Sequence, residues 1–576
     1  MAYIIVEDFK LGQDRRRKRI AGTPGSLWTL VNGHITRGGD IERRKALVPQ
    51  YSVAGTKGFG VARGRLFVFG SSDNPGVPAA LTYQRLQHQD GATALSRILS
   101  AEAFDGKMYV VAEFVDGAVF HYYNGARVTD WDTVSAGIAN NETVAQALAA
   151  KVDAVTGFSA FASGTSVVIT ADAVNTPFTL TAQAVNGGAV NDQSAVVSQI
   201  QPATILQAQV SVVEIGGTFE TADRFTITLN GVGYAVTGAS TGTGTTALTF
   251  RKKVYSVVRS LLEFSALNVA SQWGSGLGAG FINMATQDSG SEDLVTAAKY
   301  QGLMAIFARN NIQIWAINED EDQNAYVQSL ENTGTRSPRS VLSYGNNDVL
   351  YLHDSGVRSI RARDVSNTAY VTDVGTAIDS FIQQYLATLT EEQIGRAVSV
   401  MEPRDSRYWL AIGQRIFVFS YFPGSKITAW SYYDIADEIG VDISDFARVG
   451  SRIYARAGDT IYLYGGIDGE IYPAADVAPL IVETPFMSGK TPATFKNITG
   501  FDAAFDGTFE VLLLPEPNDE SVELLVGTLE GVTFTKARDT IEVETPVVAL
   551  KLTSKNDGAA GLSSFAVHYD GPHEAG

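Results

Sequence analysis

The stretch Asp348-Val-Leu-Tyr-Leu-His-Asp-Ser-Gly-Val-Arg-Ser-Ile360 sets the reading of the fold. A polar residue opens it, four aliphatic and aromatic residues follow, and a Gly-containing turn sends the chain back into a second short strand. The same opening strand recurs at Arg65-Leu-Phe-Val-Phe69, Lys107-Met-Tyr-Val-Val111, Lys253-Val-Tyr-Ser-Val257, Leu303-Met-Ala-Ile-Phe307, Arg407-Tyr-Trp-Leu-Ala411 and Arg452-Ile-Tyr-Ala455. Second strands follow at Ile312-Gln-Ile-Trp315, Val357-Arg-Ser-Ile360, Ile416-Phe-Val-Phe419 and Ile461-Tyr-Leu-Tyr464. Several openings (Arg65 and Lys107, Leu303 and Asp348, Arg407 and Arg452) stand roughly 42–45 residues apart, a period that signals propeller blades. A small sheet cannot bury both its faces alone, so such units stack around an axis. The plainer alternative is a β-sandwich with accidental spacing.

The period breaks between Lys107 and Lys253, and composition changes with it: from Arg127 to Arg224 the only basic residue is Lys151. Residues 128–250 therefore read as an inserted α+β domain, or as two small modules, 128–202 and 203–250. The first half contains a helix over Glu142–Val152, capped by Asn140 or Asn141, and strands near Val167–Thr170 and Phe178–Ala182. The second half alternates in Gln209–Ile215 and Phe225–Leu229 and ends in a Gly/Thr loop, Thr237–Thr246. Elsewhere Ala377, Ile378, Phe381, Ile382, Tyr385, Leu386 and Leu389 follow a helical period. After about 475 prolines punctuate alternating strands, among them Phe509–Leu514 and Val547–Leu552. The expected fold is mainly β: an N-terminal arm and first blades over 1–127, the insert, the remaining blades over 251–475, and a C-terminal β-sandwich-like domain over 476–576.

Composition agrees. Of 576 residues 45% are hydrophobic and only 18% charged, against about 25% in an average domain, so the chain has material for large cores. Its formal net charge of −18 makes it a poor candidate for wrapping a phosphate backbone, since binding would lack counterion release. The absence of Cys removes disulfides, thiolate metal sites and a Cys nucleophile, and fits a reducing cytosol or a particle assembled there. The apolar start ends at Glu7 and Asp8, too early for a signal peptide, and the long uncharged stretches are broken by Gly, Ser and Thr, so no membrane insertion is expected.

Enzyme motifs fail one by one. Gly489-Lys490-Thr491 resembles the end of a phosphate-binding loop, but Thr484 replaces the first required Gly and Pro485 follows it. The six His are scattered, with no pair at zinc-ligand spacing. Asp320, Asp322, Asn324 and Glu331 stand at positions 1, 3, 5 and 12 of a calcium loop, although Ala325 occupies the Gly position; a solvated acidic turn is the plainer reading. The densest basic run, Arg15-Arg16-Arg17-Lys18-Arg19, reads as an arm that docks on an acidic neighbouring subunit, and Arg43-Arg44-Lys45 is a second such run. No cofactor is expected.

A further set of residues carries a family resemblance. It comprises Asp8-Phe9, Gly12, Asp14-Arg-Arg16, Pro24-Gly-Ser-Leu27, Asn32-Gly-His-Ile35 and Gly39-Asp-Ile-Glu-Arg-Arg-Lys45. It continues with Phe281-Ile-Asn-Met284, Ser289-Gly-Ser-Glu-Asp293, Gln313-Ile-Trp315, Glu331-Asn-Thr-Gly334, Pro338-Arg-Ser340 and Asp354-Ser-Gly-Val-Arg-Ser359. Over about 1–127 and 251–475 the chain resembles the tail nozzle proteins of short-tailed bacteriophages. The resemblance implies a non-enzymatic structural virion protein, assembled in the host cytoplasm. In that family six copies ring the tail axis below a dodecameric adaptor, hold tail fibres or spikes, and gate and conduct double-stranded DNA during ejection. An acidic wall would let DNA slide without tight binding. The rival reading is a β-propeller carbohydrate-binding or carbohydrate-active protein, which a carboxylate pair and sugar-stacking aromatics in one pocket would favour.

Overall fold

The computed structural model describes residues 2–570 apart from 24, 72–75, 89–90, 129–140, 187–189, 205, 219–222, 238–243, 274–277, 288–291, 346, 365–372 and 533–538. Pro24, Ser289–Ser291, Asn140 and most of the Thr237–Thr246 loop thus lie outside the described residues. The chain is mainly β, with 52% of residues in strands and 9% in helices.

Seven small sheets follow one another, none closed on itself. Sheet I holds Thr56–Ala62, Arg65–Gly70 and Thr82–Arg85; sheet II holds Leu95–Phe104, Lys107–Phe114, Val119–Tyr123 and Ala126–Arg127. Sheet III holds Leu248–Phe250, Lys253–Val258, Leu261–Phe264 and Gly280–Asn283; sheet IV holds Leu294–Tyr300, Leu303–Ala308, Asn311–Ala316 and Ala325–Glu331. Sheet V holds Leu342–Tyr344, Asp348–His353 and Gly356–Ser359; sheet VI holds Val398–Met401, Tyr408–Ile412, Arg415–Phe422 and Ile427–Asp434. Sheet VII holds Asp445–Val449, Arg452–Ala457 and Thr460–Tyr464, and its fourth strand is Leu47–Ser52 from the other end of the chain. All the strands expected from the recurring motif are present.

Each sheet packs between its neighbours, which explains why the strands are apolar without alternation. Successive side chains point to opposite faces, and here both faces are covered. In Asp348–His353, Leu350 and Leu352 enter the core shared with sheet VI, while Val349 and Tyr351 enter the core shared with sheet IV. In Tyr408–Ile412 the same split sends Tyr408 and Leu410 one way and Trp409 and Ala411 the other. A separate core lies between each consecutive pair, and the last, with Val68 and Leu66 against Ile461 and Leu463, joins sheet VII back to sheet I. The first strands of the sheets touch in the same cyclic order. The expected helix is present over Asp379–Leu386 and buries Ile382 and Leu386 against sheets V and VI.

The terminal boundaries differ from expectation. Residues 2–46 are neither a free arm nor part of the first sheets: Ala2–Val6 pairs with Gly561–Asp570, Ile41–Arg43 pairs with the same strand, and Thr29–Val31 pairs with Ile481–Glu483. Ile4, Phe9, Leu30 and Ile41 share one core with Phe501, Val511, Leu550 and Val567. The C-terminal β-domain is therefore built from both ends of the chain. Val31 also pairs in parallel with Tyr432, so its sheet runs on into sheet VI. The 19-residue strand Lys496–Leu514 carries three register shifts and changes partners along its length, as strands do at sandwich corners.

The insert is one module rather than two. Helix Asn141–Asp153 lies against strands from both halves, and Val144, Leu148 and Val152 share a core with Ile169, Val213, Phe225 and Ile227. Its end also moves: Leu248–Phe250 belongs to sheet III. Both ends of the insert hang on one residue. Val128 N donates to His121 O at 2.9 Å, and the His121 ring meets Gly244 O at 2.8 Å. Joining Val128 to Gly244 through a short Gly/Ser linker should leave the seven sheets folded. Circular dichroism would then keep its β signal with a cooperative melt; a molten or unfolded product would show that the insert carries the neighbouring cores.

Candidate functional site

Three of the five residues in the Arg15–Arg19 run are engaged within the chain. Arg15 lies 3.8 Å over the Trp28 ring, donates to Thr29 Oγ1 at 3.0 Å, and is pushed down to about 10 by burial. Arg16 forms a two-pronged ion pair with Asp14, whose carboxyl stays below its usual range because Arg16 outweighs the upward push of burial. Arg19 is buried and pairs with Glu520 at 2.7 Å and Glu483 at 3.7 Å. Within the run, only the Arg17 and Lys18 side chains stand exposed without a hydrogen bond or ion pair to a described residue. Replacing Arg17 and Lys18 together by Ser should shift stability by no more than about 0.5 kcal/mol, whereas Arg19→Ser should cost about 2 kcal/mol by leaving the largely buried Glu483 unpaired. Urea unfolding midpoints of the two variants distinguish these outcomes.

The second basic run is not a surface at all. Arg43 and Arg44 are fully buried. Arg43 donates from Nη1 to the carbonyls of Asn556 (2.5 Å) and Gly558 (3.0 Å), and from Nη2 to those of Pro473 (2.9 Å), Ala474 (3.2 Å) and Ala478 (2.8 Å). Arg44 pairs with Glu438 at 2.7 Å, and Lys45 with Glu470 at 2.6 Å. The calcium candidates are not gathered either. Asp320 accepts from Asp322 N and Gln323 Nε2, Asn324 Oδ1 accepts from Asn318 N, and Glu331 lies at the far end of strand Ala325–Glu331. Among the described residues no three acidic or histidine side chains converge as a metal site. The stretch is a self-capped turn.

Two concave regions are walled by more than one sheet. A cleft of about 800 Å³ opens between sheets V and VI, walled by Tyr344, Leu350, Phe419, Tyr421 and Pro423. Phe419 and Tyr421 stack at 10° and 5.9 Å, and Tyr344 meets Tyr421 edge-on. Asp348 and Asp373 border the cleft, and burial raises the pKa of both. Ser359 ties them together: its hydroxyl donates to Asp348 Oδ2 at 2.6 Å and its N–H to Asp373 Oδ1 at 3.0 Å. Asp348 Oδ1 also accepts from the N–H groups of Val349 and Arg361, and Asp373 Oδ2 from Arg363 Nε. All four oxygens are thus used to hold the turn into helix Ile360–Asp364, which suits binding or scaffolding better than proton transfer.

The other is a central cavity of about 580 Å³, walled by the first strands of sheets I to V and VII. Each of these strands is hydrogen-bonded on one side only within its sheet. Its charged lining comprises Glu102, Lys299, Arg339 and Arg448. Thr249 Oγ1 donates to Glu102 at 3.1 Å, and burial raises the Glu102 pKa despite nearby Lys299. Arg339 is locked to Asp445 at 2.6 Å and to Ser444 O at 3.0 Å. These residues come from segments far apart in sequence, which is why no motif announces them.

No family model matches the chain, and no curated protein matches it. Solved structures with slight likeness include the major allergen Mala s 1 of Malassezia sympodialis, 10% identical, covering 43% of this chain and 88% of that one at a TM-score of 0.24. A putative 6-phosphogluconolactonase from Bacteroides uniformis is 10% identical over 66% of this chain and 87% of that one, at 0.23. The exo-β-1,3-galactanase of Phanerochaete chrysosporium is 10% identical over 89% of this chain and all of that one, at 0.16. Likenesses this slight assign neither fold family nor activity.

Proposed function

We propose that the seven sheets are the blades of a propeller and that the chain is a structural tail nozzle protein, six copies of which form a ring on an adaptor and pass double-stranded DNA without gripping it. The cyclic packing of the sheets and the closure of sheet VII by Leu47–Ser52 support the propeller. One observation carries the nozzle reading: several residues of the resemblance form joints between packed elements. Gly12, at a positive φ, lies so close to the strand Ile427–Asp434 that a Cβ would sit 2.7 Å from Ala429 Cβ. Asn32 bridges Arg44, Asp434 N and Pro479 O; Thr333 bonds Tyr351; Arg358 pairs with Asp379. Such a chain is built to keep its shape under load. Arg17 and Lys18 are then the part of the basic run left for docking.

The test is the composition of purified virions carrying this chain's gene. Mass spectrometry and cryo-electron microscopy should find it in six copies beneath the adaptor. Its absence from washed particles would overturn the reading. The aromatic cleft favours a second reading, saccharide recognition at a host surface, and selective retention on a glycan array would support it instead.

A further inference from the structure

Among the charged groups of the central cavity, some are committed to the fold and some are not. Arg339 is held at both ends of its guanidinium by Asp445 and Ser444 O. Glu102 is held by Thr249. The Lys299 ammonium makes no hydrogen bond or ion pair with a described residue and feels Glu102 only at longer range. Arg448 spends Nε on Gly450 O at 3.3 Å and leaves the rest of its guanidinium open. Both stand one residue before the end of a first strand, Leu294–Tyr300 in sheet IV and Asp445–Val449 in sheet VII. They therefore occupy equivalent places in two different sheets.

We propose that the central cavity binds a small organic anion through a phosphate or carboxylate oxyanion held by Lys299 and Arg448. Cations outnumber carboxylates in the lining three to one, and the cavity's volume is that of a metabolite-sized ligand site. The open edges of the first strands add N–H groups, alternating with carbonyls, that can donate to the ligand's oxygens. Glu102, the one anionic group of the lining, is raised by burial, so it repels the ligand less than an exposed carboxylate would. The site is independent of the nozzle reading, since it needs only the arrangement of the first strands.

The probes are inorganic phosphate and citrate, titrated separately into the full chain by calorimetry in about 50 mM sodium chloride, where screening is modest. At least one should bind saturably with one site per chain. Lys299→Met and Arg448→Met should each weaken it about tenfold or more, the size of a charge-assisted hydrogen bond, and Glu102→Gln should tighten it. Binding by phosphate alone identifies a phosphate group, and binding by citrate alone a carboxylate. Both cations are exposed, so unfolding midpoints of the two Met variants should match the parent. No saturable heat from either probe up to about 10 mM would overturn the proposal. So would binding that survives both substitutions.

Discussion

Arg43→Met is expected to lower unfolding free energy by about 3–5 kcal/mol, a large share of the stability of any domain. The substitution keeps the apolar stem and removes five hydrogen bonds at once. The carbonyls of Pro473, Ala474, Ala478, Asn556 and Gly558 would be left facing a sulfur that donates nothing. Among the described residues no carboxylate lies within ion-pair distance of Arg43, so no acidic group is stranded, and the penalty is that of unpaired acceptors. Arg43→Lys should recover part of the loss, because an ammonium has three donors for five carbonyls. Chemical denaturation of the three proteins measures this, and a Met variant within 1 kcal/mol of the parent would show that water replaces the guanidinium.

Acidification should produce the second large effect. The neutral His121 ring donates from Nε2 to Gly244 O, which can only accept, so Nδ1 accepts from Tyr109 Oη–H at 2.7 Å. Burial pushes this imidazole down to about 4, against about 6.5 in an unfolded chain. Between those values the unfolded chain takes up a proton that the folded chain refuses, so stability is complete above about pH 6.5 and falls as pH drops toward 4. The loss from this residue is about 2 kcal/mol at pH 5 and about 3 kcal/mol near pH 4. His34, pushed down by burial and by the nearby charges of Arg407 and Lys45, and His353 shift in the same direction. Glu102, Asp348 and Asp373, raised by burial, oppose them at the acid end. A His121→Gln variant isolates the term: its stability should fall less than the parent's between pH 7.5 and 5. Parallel pH profiles would show that His121 stays accessible to protons when folded.

The strands and their repeat were legible because each carries its own turn chemistry and an unbroken apolar run. The pattern also told that both faces are covered, since Val349 and Leu350 have no polar neighbour to turn outward. The insert was legible from its missing basic residues, and its helix from the Asn140-Asn141 cap signal before Glu142–Val152. What stayed hidden depends on distant pairing. Arg43-Arg44-Lys45 reads as a surface patch because a charge run is usually solvated; only partners far along the chain, backbone carbonyls for Arg43 and the Glu438 and Glu470 carboxylates for Arg44 and Lys45, make it a buried rivet. The same holds for residues 2–46, where Ala2–Val6 and Thr29–Val31 pair with strands beyond 480, and for the central cavity, to which six sheets contribute one wall each. The calcium-loop spacing of Asp320, Asp322, Asn324 and Glu331 falls in a stretch where Asp320 and Asn324 accept hydrogen bonds from their own turn.

The strand Leu47-Val-Pro-Gln-Tyr-Ser52 leaves the ribosome long before Thr460–Tyr464, the strand it must pair with. Throughout most of synthesis it is an unmated ribbon, able to pair with whatever strand comes near. Pro49 answers this hazard. It has no N–H to offer, and it sits opposite Tyr462 beside a register shift, in a strand paired on one side only. A neighbouring nascent chain meets a ladder with a missing rung, while the proper partner, arriving last, tolerates the gap. The protein can thus wait for its own far end without being captured by another copy of itself.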